Sequence, residues 1–230
     1  MKDMYEGEEY GANNPSWHEE DSPWKASKIA TMMRRHGLGE GRICEIGCGT
    51  GEILLNLAEE FPQAQFDGYE IAPAAYQRAV DKGSERVSFH LGDLLSEDIT
   101  PYDLMLTIDV IEHVDDLYGF LTKLRTKAKY KIFHIPLDIS AQSVARSTPI
   151  MGLREGVGHI HYFYKDSALA ALRDTGYRVI DHFYTASRLE LPNQARSSKI
   201  MAFPRRAAFK ANPDVAVRVL GGYSLLVLAE

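Results

Sequence analysis

Cysteine is almost absent from the 230-residue chain: the two that occur, Cys44 and Cys48, stand in one short segment. They offer no disulfide framework, and a reducing compartment is expected. Their C-x-x-x-C spacing has no second pair to complete a ligand set, so they read as one buried strand position and one loop position, and no metal site is expected. Long hydrophobic runs are also missing. The longest clear one, 224–229, is far shorter than the roughly 20 residues that cross a bilayer. No charged-then-apolar leader follows Met1, so the chain is expected to be cytoplasmic, with no membrane partner. There is no basic excess either: 26 Lys and Arg against 32 Asp and Glu give a formal net charge of −6. That balance argues against a nucleic-acid partner, which needs a basic footprint. Repeats and low-complexity tracts are absent. What is present, 45% hydrophobic and 25% charged residues, is ordinary globular composition, and the length fits one domain over 1–230.

The most informative segment is Arg42-Ile43-Cys44-Glu45-Ile46-Gly47-Cys48-Gly49-Thr50-Gly51-Glu52, where a short apolar strand runs through alternating glycines into a helix. Gly47, Gly49 and Gly51 let the backbone turn at positive φ and approach a ligand closely. A dinucleotide fingerprint sets its third glycine three positions after its second and seats a pyrophosphate on the helix N-terminus. Here the spacing is Gly-x-Gly-x-Gly, which suits a ligand without phosphates.

Strands are expected over 42–46, 65–70, 87–91, 104–108, 130–135, 177–184 and 223–228. Helical spacing recurs between them. Ile53, Leu54, Leu57, Ala58 and Phe61 precede Pro62; 74–81 lies between Pro73 and Gly83; Leu117, Phe120, Leu121 and Leu124 form one stripe; 166–174 stops near Gly176. The alternation predicts an α/β fold, a Rossmann-like three-layer sandwich around a mostly parallel sheet. Two stretches, 136–164 and 185–222, break the pattern. Each leaves a strand's carboxyl end, where open α/β sheets bind ligands, so both are expected to be lids over the substrate. The N-terminal arm, 1–25, with Tyr5, Tyr10, Trp17 and Trp24, either joins them or packs against the sheet.

Carboxylates recur at successive strand ends. Glu70 stands nineteen residues after Gly51, near the offset at which a carboxylate accepts ribose hydroxyls, and Asp93 and Asp109 follow the next two strands. Any one of them fits a turn or helix cap; all of them at one sheet edge fit a ligand site. The set Glu45-x-Gly47-x-Gly49-x-Gly51, Tyr69-Glu70, Gly92-Asp93-Leu94, Tyr102-Asp103-Leu104 and Asp109-Val110-Ile111-Glu112-His113-Val114 resembles class I S-adenosylmethionine-dependent methyltransferases, from about Trp24 onward. Glu112-His113 and Gly158-His159-Ile160-His161-Tyr162-Phe163 make the chain most similar to the small-molecule group that includes ubiquinone-biosynthesis enzymes.

That resemblance implies a seven-stranded sheet whose antiparallel last strand lies beside 177–184. It implies S-adenosylmethionine as cofactor and S-adenosylhomocysteine as product. Gly47, Gly49 and Gly51 would line the methionine part, Glu70 would hold the ribose and Asp93 with Leu94 would contact adenine. Asp109 would lie near the transferred methyl, and Cys48 and Ile71 belong to the same cofactor set. The chemistry is consistent: the ligand's sulfonium and ammonium favour carboxylates such as Glu45 and Asp109. Glu45 equally suits support of the glycine loop through backbone N–H groups. A nicotinamide-dependent oxidoreductase shares the strand–glycine–helix logic but not the glycine spacing. A non-catalytic binding domain shares the fold, whereas an eroded glycine loop would be expected of it.

For the acceptor, oxygen is preferred over nitrogen or carbon because of the histidines. His113, His159 and His161 are the candidate catalytic residues, each of which also fits a packing or hydrogen-bonding role. A basic stretch contains Arg188, Arg196, Lys199, Arg205, Arg206, Lys210 and Arg218 against only Glu190 and Asp214. Either it and Arg154 meet an anionic group of a small-molecule substrate, or they are solvated.

Overall fold

A computed structural model describes residues 16–17, 19–191 and 196–230, apart from the side chains of 196–201. Tyr5 and Tyr10 of the arm and the side chains of Arg196 and Lys199 lie outside the described residues. In chain order the elements are α1 (Ser22–His36), β1 (Gly41–Ile46), α2 (Glu52–Glu60), β2 (Ala64–Glu70), α3 (Pro73–Val80), β3 (Val87–Leu91), β4 (Tyr102–Ile108), α4 (Leu117–Leu124) and β5 (Ala128–Pro136). There follow α5 (Ala141–Arg146), α6 (Thr148–Gly156), α7 (Lys165–Asp174), β6 (Val179–Thr185), α8 (Ser187–Glu190), α9 (Arg196–Ala211), α10 (Pro213–Leu220) and β7 (Ser224–Ala229).

The strands form one seven-stranded sheet in the order β3-β2-β1-β4-β5-β7-β6. Pairs from β3 through β5 are parallel, and β7 runs antiparallel to both β5 and β6. This is the expected α/β sheet with its antiparallel last strand, and every expected strand is present within two residues of its predicted ends. β7 shows why the sheet is covered on both faces. All of its residues are buried; Leu226 and Leu228 join the cluster of Ile29, Met33, Leu54 and Leu57, while Leu225 and Val227 join Phe133, Leu169 and Leu172. Alternate side chains of a strand point to opposite faces, so one short apolar run serves two cores.

The helices of the two long stretches go beyond the sequence reading. The stretch 136–164 holds α5 and α6, and 185–222 holds α8, α9 and α10. Their start signals are local: a Ser140–Ser143 capping box opens α5, and Asn212 accepts from the Val215 N–H with Pro213 at the first position of α10. The last residues of the arm, 22–25, belong to a helix. A 3-10 turn over Glu19–Asp21 leads into α1, so Trp24 and Lys25 stand on a helix whose Ala26, Ile29, Ala30 and Met33 are buried. Among the described residues no helix is long and apolar enough to cross a membrane.

Candidate functional site

The carboxyl ends of β1, β2, β4 and β5 open into a cavity of about 650 Å³. Of the cofactor-binding and catalytic candidates, Glu45, Gly47, Cys48, Gly49, Glu70, Ile71, Asp93, Leu94, Asp109, His113 and His159 line it. Two do not. Gly51 lies against the Phe89 ring, and His161 turns its Nε2 to the Val114 carbonyl at 2.7 Å.

The glycine loop is held from β2. The Gly47 and Cys48 N–H groups both donate to the Tyr69 carbonyl, at 2.8 and 3.2 Å, and the Gly49 N–H donates to Glu70 Oε2 at 2.8 Å. The other Glu70 oxygen accepts the Ala72 N–H at 2.8 Å. Burial pushes the Glu70 carboxyl up, and those N–H bonds pull against it. Loop support therefore falls to Glu70. All three glycines have positive φ, but their surroundings differ. A Cβ on Gly47 would come within 2.9 Å of Val110 Cγ2, and one on Gly51 within 2.4 Å of Phe89 Cζ. One on Gly49 would meet nothing within 4 Å. Two glycines thus accommodate packing, and Gly49 presents bare backbone to the cleft.

Glu45 is buried on the same wall, and its Oε2 has no hydrogen-bond partner. Burial, opposed by Lys25 and reinforced by Glu70 and Asp109, pushes its pKa up to about 8. Asp109 answers the same environment differently. It sits at φ 54, a left-handed conformation uncommon for a non-glycine residue. Its Oδ1 lies 2.6 Å from His134 Nδ1, and its Oδ2 lies 2.8 Å from Lys25 Nζ. Burial alone would raise Asp109, but His134 and Lys25 outweigh it and hold the carboxylate far below its ordinary range. His134 continues through Nε2 to the Thr185 hydroxyl at 2.8 Å. Neither Lys25 nor the His134–Thr185 link carries a motif, and sequence reasoning missed both. Lys25 reaches Asp109 from α1, across 84 positions of chain (109 − 25).

The histidines gather on an adjoining wall. The His113 and His159 rings meet edge to face with centroids 4.9 Å apart. His113 Nδ1 lies 3.1 Å from the Gly158 carbonyl, which can only accept, so Nδ1 carries the proton. His159 Nδ1 likewise faces Asp138 Oδ2 at 2.7 Å, so in the neutral tautomer Nδ1 donates and Nε2 carries the lone pair. Glu112 is fully buried beside them, with no hydrogen-bond partner on either carboxyl oxygen and His113 Nε2 3.8 Å from its Oε1; burial and the Asp109 charge push its pKa well above the ordinary value. Donor atoms of Glu112, His113 and His159 all fall within 4.8 Å of one another, a spacing that can hold a metal ion and one the sequence did not suggest. Backbone bonds from Ile160 and His161 N–H to the Glu112 carbonyl, at 2.8 and 3.1 Å, pin the Gly158–Phe163 segment there.

A family model described as "Methyltransferase domain" matches residues 17–182. A tRNA1(Val) (adenine(37)-N6)-methyltransferase from Yersinia pestis (strain Pestoides F) is 41% identical over 59 residues, which cover 23% of this chain and 24% of that protein. The chain thus spans about a quarter of the length of the curated relatives it matches. Among solved structures, magnesium protoporphyrin IX methyltransferase from Synechocystis PCC 6803 with bound SAH has a TM-score of 0.62 at 18% identity, covering 90% of this chain and 82% of that one. An S-adenosylmethionine-dependent methyltransferase from Mesorhizobium loti has a TM-score of 0.55 at 16% identity, covering 83% and 91%. At these identities the structural likenesses carry the fold.

The glycine geometry makes a paired prediction. Gly49→Ala should cost about 1–2 kcal/mol, from its left-handed φ alone. Gly51→Ala adds an overlap with Phe89 and should cost more. Urea unfolding of both variants checks this, and equal losses would contradict the packing account.

Proposed function

The chain belongs to a methyltransferase-domain family, with which residues 17–182 match, and from that premise we propose that it transfers the methyl group of S-adenosylmethionine to a small-molecule acceptor, with oxygen favoured over nitrogen or carbon. One observation carries the cofactor assignment: a buried carboxylate oxygen of Glu45 without a partner, on the cavity wall that also holds the open Gly49 backbone. Leaving such a group unsatisfied is costly, and a cationic ligand relieves the cost. A phosphate-bearing ligand would find carboxylates there instead. Glu45, Gly47, Cys48, Gly49, Glu70, Ile71, Asp93, Leu94 and Asp109 would hold the cofactor, which supplies a methyl group activated by a sulfonium.

The acceptor's proton is the task left to this chain's residues. His159 Nε2 is the base, since Asp138 fixes the tautomer and stabilises the imidazolium once formed. His113 stands edge-on to it and restricts its motion. The apolar lining of Trp24, Leu137, Pro149, Leu153 and Val157 keeps water from the reacting groups and favours a small organic acceptor. RNA is the competing acceptor class, motivated by the 59-residue similarity, and the net charge of −6 weighs against it.

A second reading of the histidine wall has its own support. Glu112, His113 and His159 present one carboxylate and two imidazoles, a set that suits a divalent cation able to lower an acceptor hydroxyl's pKa.

Calorimetry tests the cofactor assignment through its proton balance. Below about pH 8 Glu45 carries a proton, and a bound cation favours its ionised form. Binding of S-adenosylmethionine at pH 7 should therefore release a proton, and affinity should rise with pH and level off above about 8. Glu45→Gln should remove the slope; an identical slope in that variant would exclude Glu45. The sign for stability is opposite. With its folded pKa above the ordinary 4.5, the Glu45 contribution is fully present below that value and is lost as pH rises through about 8.

His159→Ala should lower kcat by roughly a hundredfold or more, as expected for loss of a general base, with cofactor affinity nearly unchanged. Exhaustive chelation should leave turnover of the unaltered protein intact. Turnover lost on chelation and restored by a divalent cation would move the role from the histidine base to a bound metal.

A further inference from the structure

The cavity has a second end that differs in charge from the first. Over β6 and β7 its wall carries Arg146 from α5 and Arg188 from α8, and a third arginine, Arg205 of α9, stands behind them. Arg205 is 5% exposed, and its Nε has no partner. Its Nη2 reaches only the Gln142 side-chain oxygen and the Leu220 carbonyl, each at 3.5 Å. Repulsion from Arg188 and Arg146 acts on it. Among the described residues none of the three arginines meets a carboxylate within salt-bridge distance, whereas Lys25, Lys28, Lys165 and Arg218 each have one. Three guanidiniums gathered without a counter-charge, one of them buried, are unfavourable until an anion joins them.

The backbone is shaped to permit this gathering. Gly221 and Gly222, just before β7, have φ of 59° and 84° and line the cavity. A Cβ on Gly222 would fall within 2.6 Å of Arg188 Cδ, and one on Gly221 within 2.6 Å of Ser140 Oγ. Gly222 clears the space in which the Arg188 stem lies, and Gly221 that of the Ser140 hydroxyl. In the sheet β7 is three places from β1, which at the usual strand spacing sets this end roughly 14 Å from the glycine loop.

We propose that Arg146, Arg188 and Arg205 form an oxyanion site that binds a carboxylate or phosphate group of the methyl acceptor and so sets which end of it faces the histidines. This deepens the reading of the cavity as a methyltransferase acceptor site and rests on it. The acceptor class is an organic acid or phosphate monoester with an apolar body, held by its anion at the arginine end. Bidentate guanidinium geometry suits both oxyanions.

The test is calorimetric titration of the protein, saturated with S-adenosylhomocysteine, with benzoate, phenyl phosphate and the neutral benzamide. At least one of the two anions should bind and benzamide should not; which anion binds more tightly separates the carboxylate from the phosphate source. Arg146→Gln with Arg188→Gln should weaken that binding at least tenfold while S-adenosylhomocysteine affinity stays within twofold. Arg205→Lys, which keeps the charge but loses the fork, should weaken it less. Equal binding of benzamide, retained anion affinity in the double variant, or no anion binding at tens of millimolar would overturn the proposal. So would tight, salt-sensitive RNA binding lost in the same double variant. Failure of the unaltered protein to bind S-adenosylhomocysteine would instead overturn the cofactor assignment, so the two failures are distinguishable.

Discussion

Buried carboxylates cannot share a dry cleft unless cations or protons accompany them, and at the carboxyl edge of this sheet the contact between Asp109, Lys25 and His134 meets that requirement. Asp109 stays ionised because the Lys25 ammonium and a His134 ring nitrogen face its two oxygens. Glu45 and Glu112, without such partners, are displaced toward their protonated forms. Lys25 comes from α1, whose other face buries Ile29, Met32 and Met33 in the core. Helix docking and charge balance are therefore one event. Trp24 and Lys28 extend it by meeting Glu190 at 2.7 and 2.6 Å, which ties α1 to α8 across the cavity mouth.

The parts of the molecule legible in the sequence are those whose physics is local. A strand flanked by glycines, a carboxylate at a strand end and an apolar stripe at helical spacing each declare themselves within a dozen residues, and sheet, glycine loop and strand-end acids stand where those patterns put them. What escaped is made through space. The Lys25–Asp109 pair, the His134–Thr185 bond and the His159–Asp138 bond join elements far apart in the chain, and no residue spacing announces them. Of the two roles open to Glu45, loop support passed to Glu70, a choice set by which carboxylate lies under the Gly49 N–H. The helices α5, α6 and α8 are short and bury few side chains, so their apolar periodicity is weak, and α6 and α8 have no side-chain cap to mark their starts.

The same cavity shows how one glycine-rich idiom serves distinct ends. Gly51 yields to an aromatic ring, Gly49 exposes backbone to the cavity, and Gly222 makes way for an arginine stem. Between the acidic end and the arginine end the wall is largely apolar, so the field along the cavity has a direction. A molecule carrying charge at one end enters such a field in one orientation only. Selectivity by orientation demands less of shape than selectivity by fit.

The placement of β7 has a consequence for how the chain is made. Among the described residues β6 touches the sheet only through β7, and the outer edge of β5 is closed only by the same strand. A nascent chain emerging from the ribosome exposes β5, then β6, while the apolar strand that joins them is still to come. Until Ser224–Ala229 appears, both present unpaired edges of the kind that chaperones bind and that aggregate when left alone.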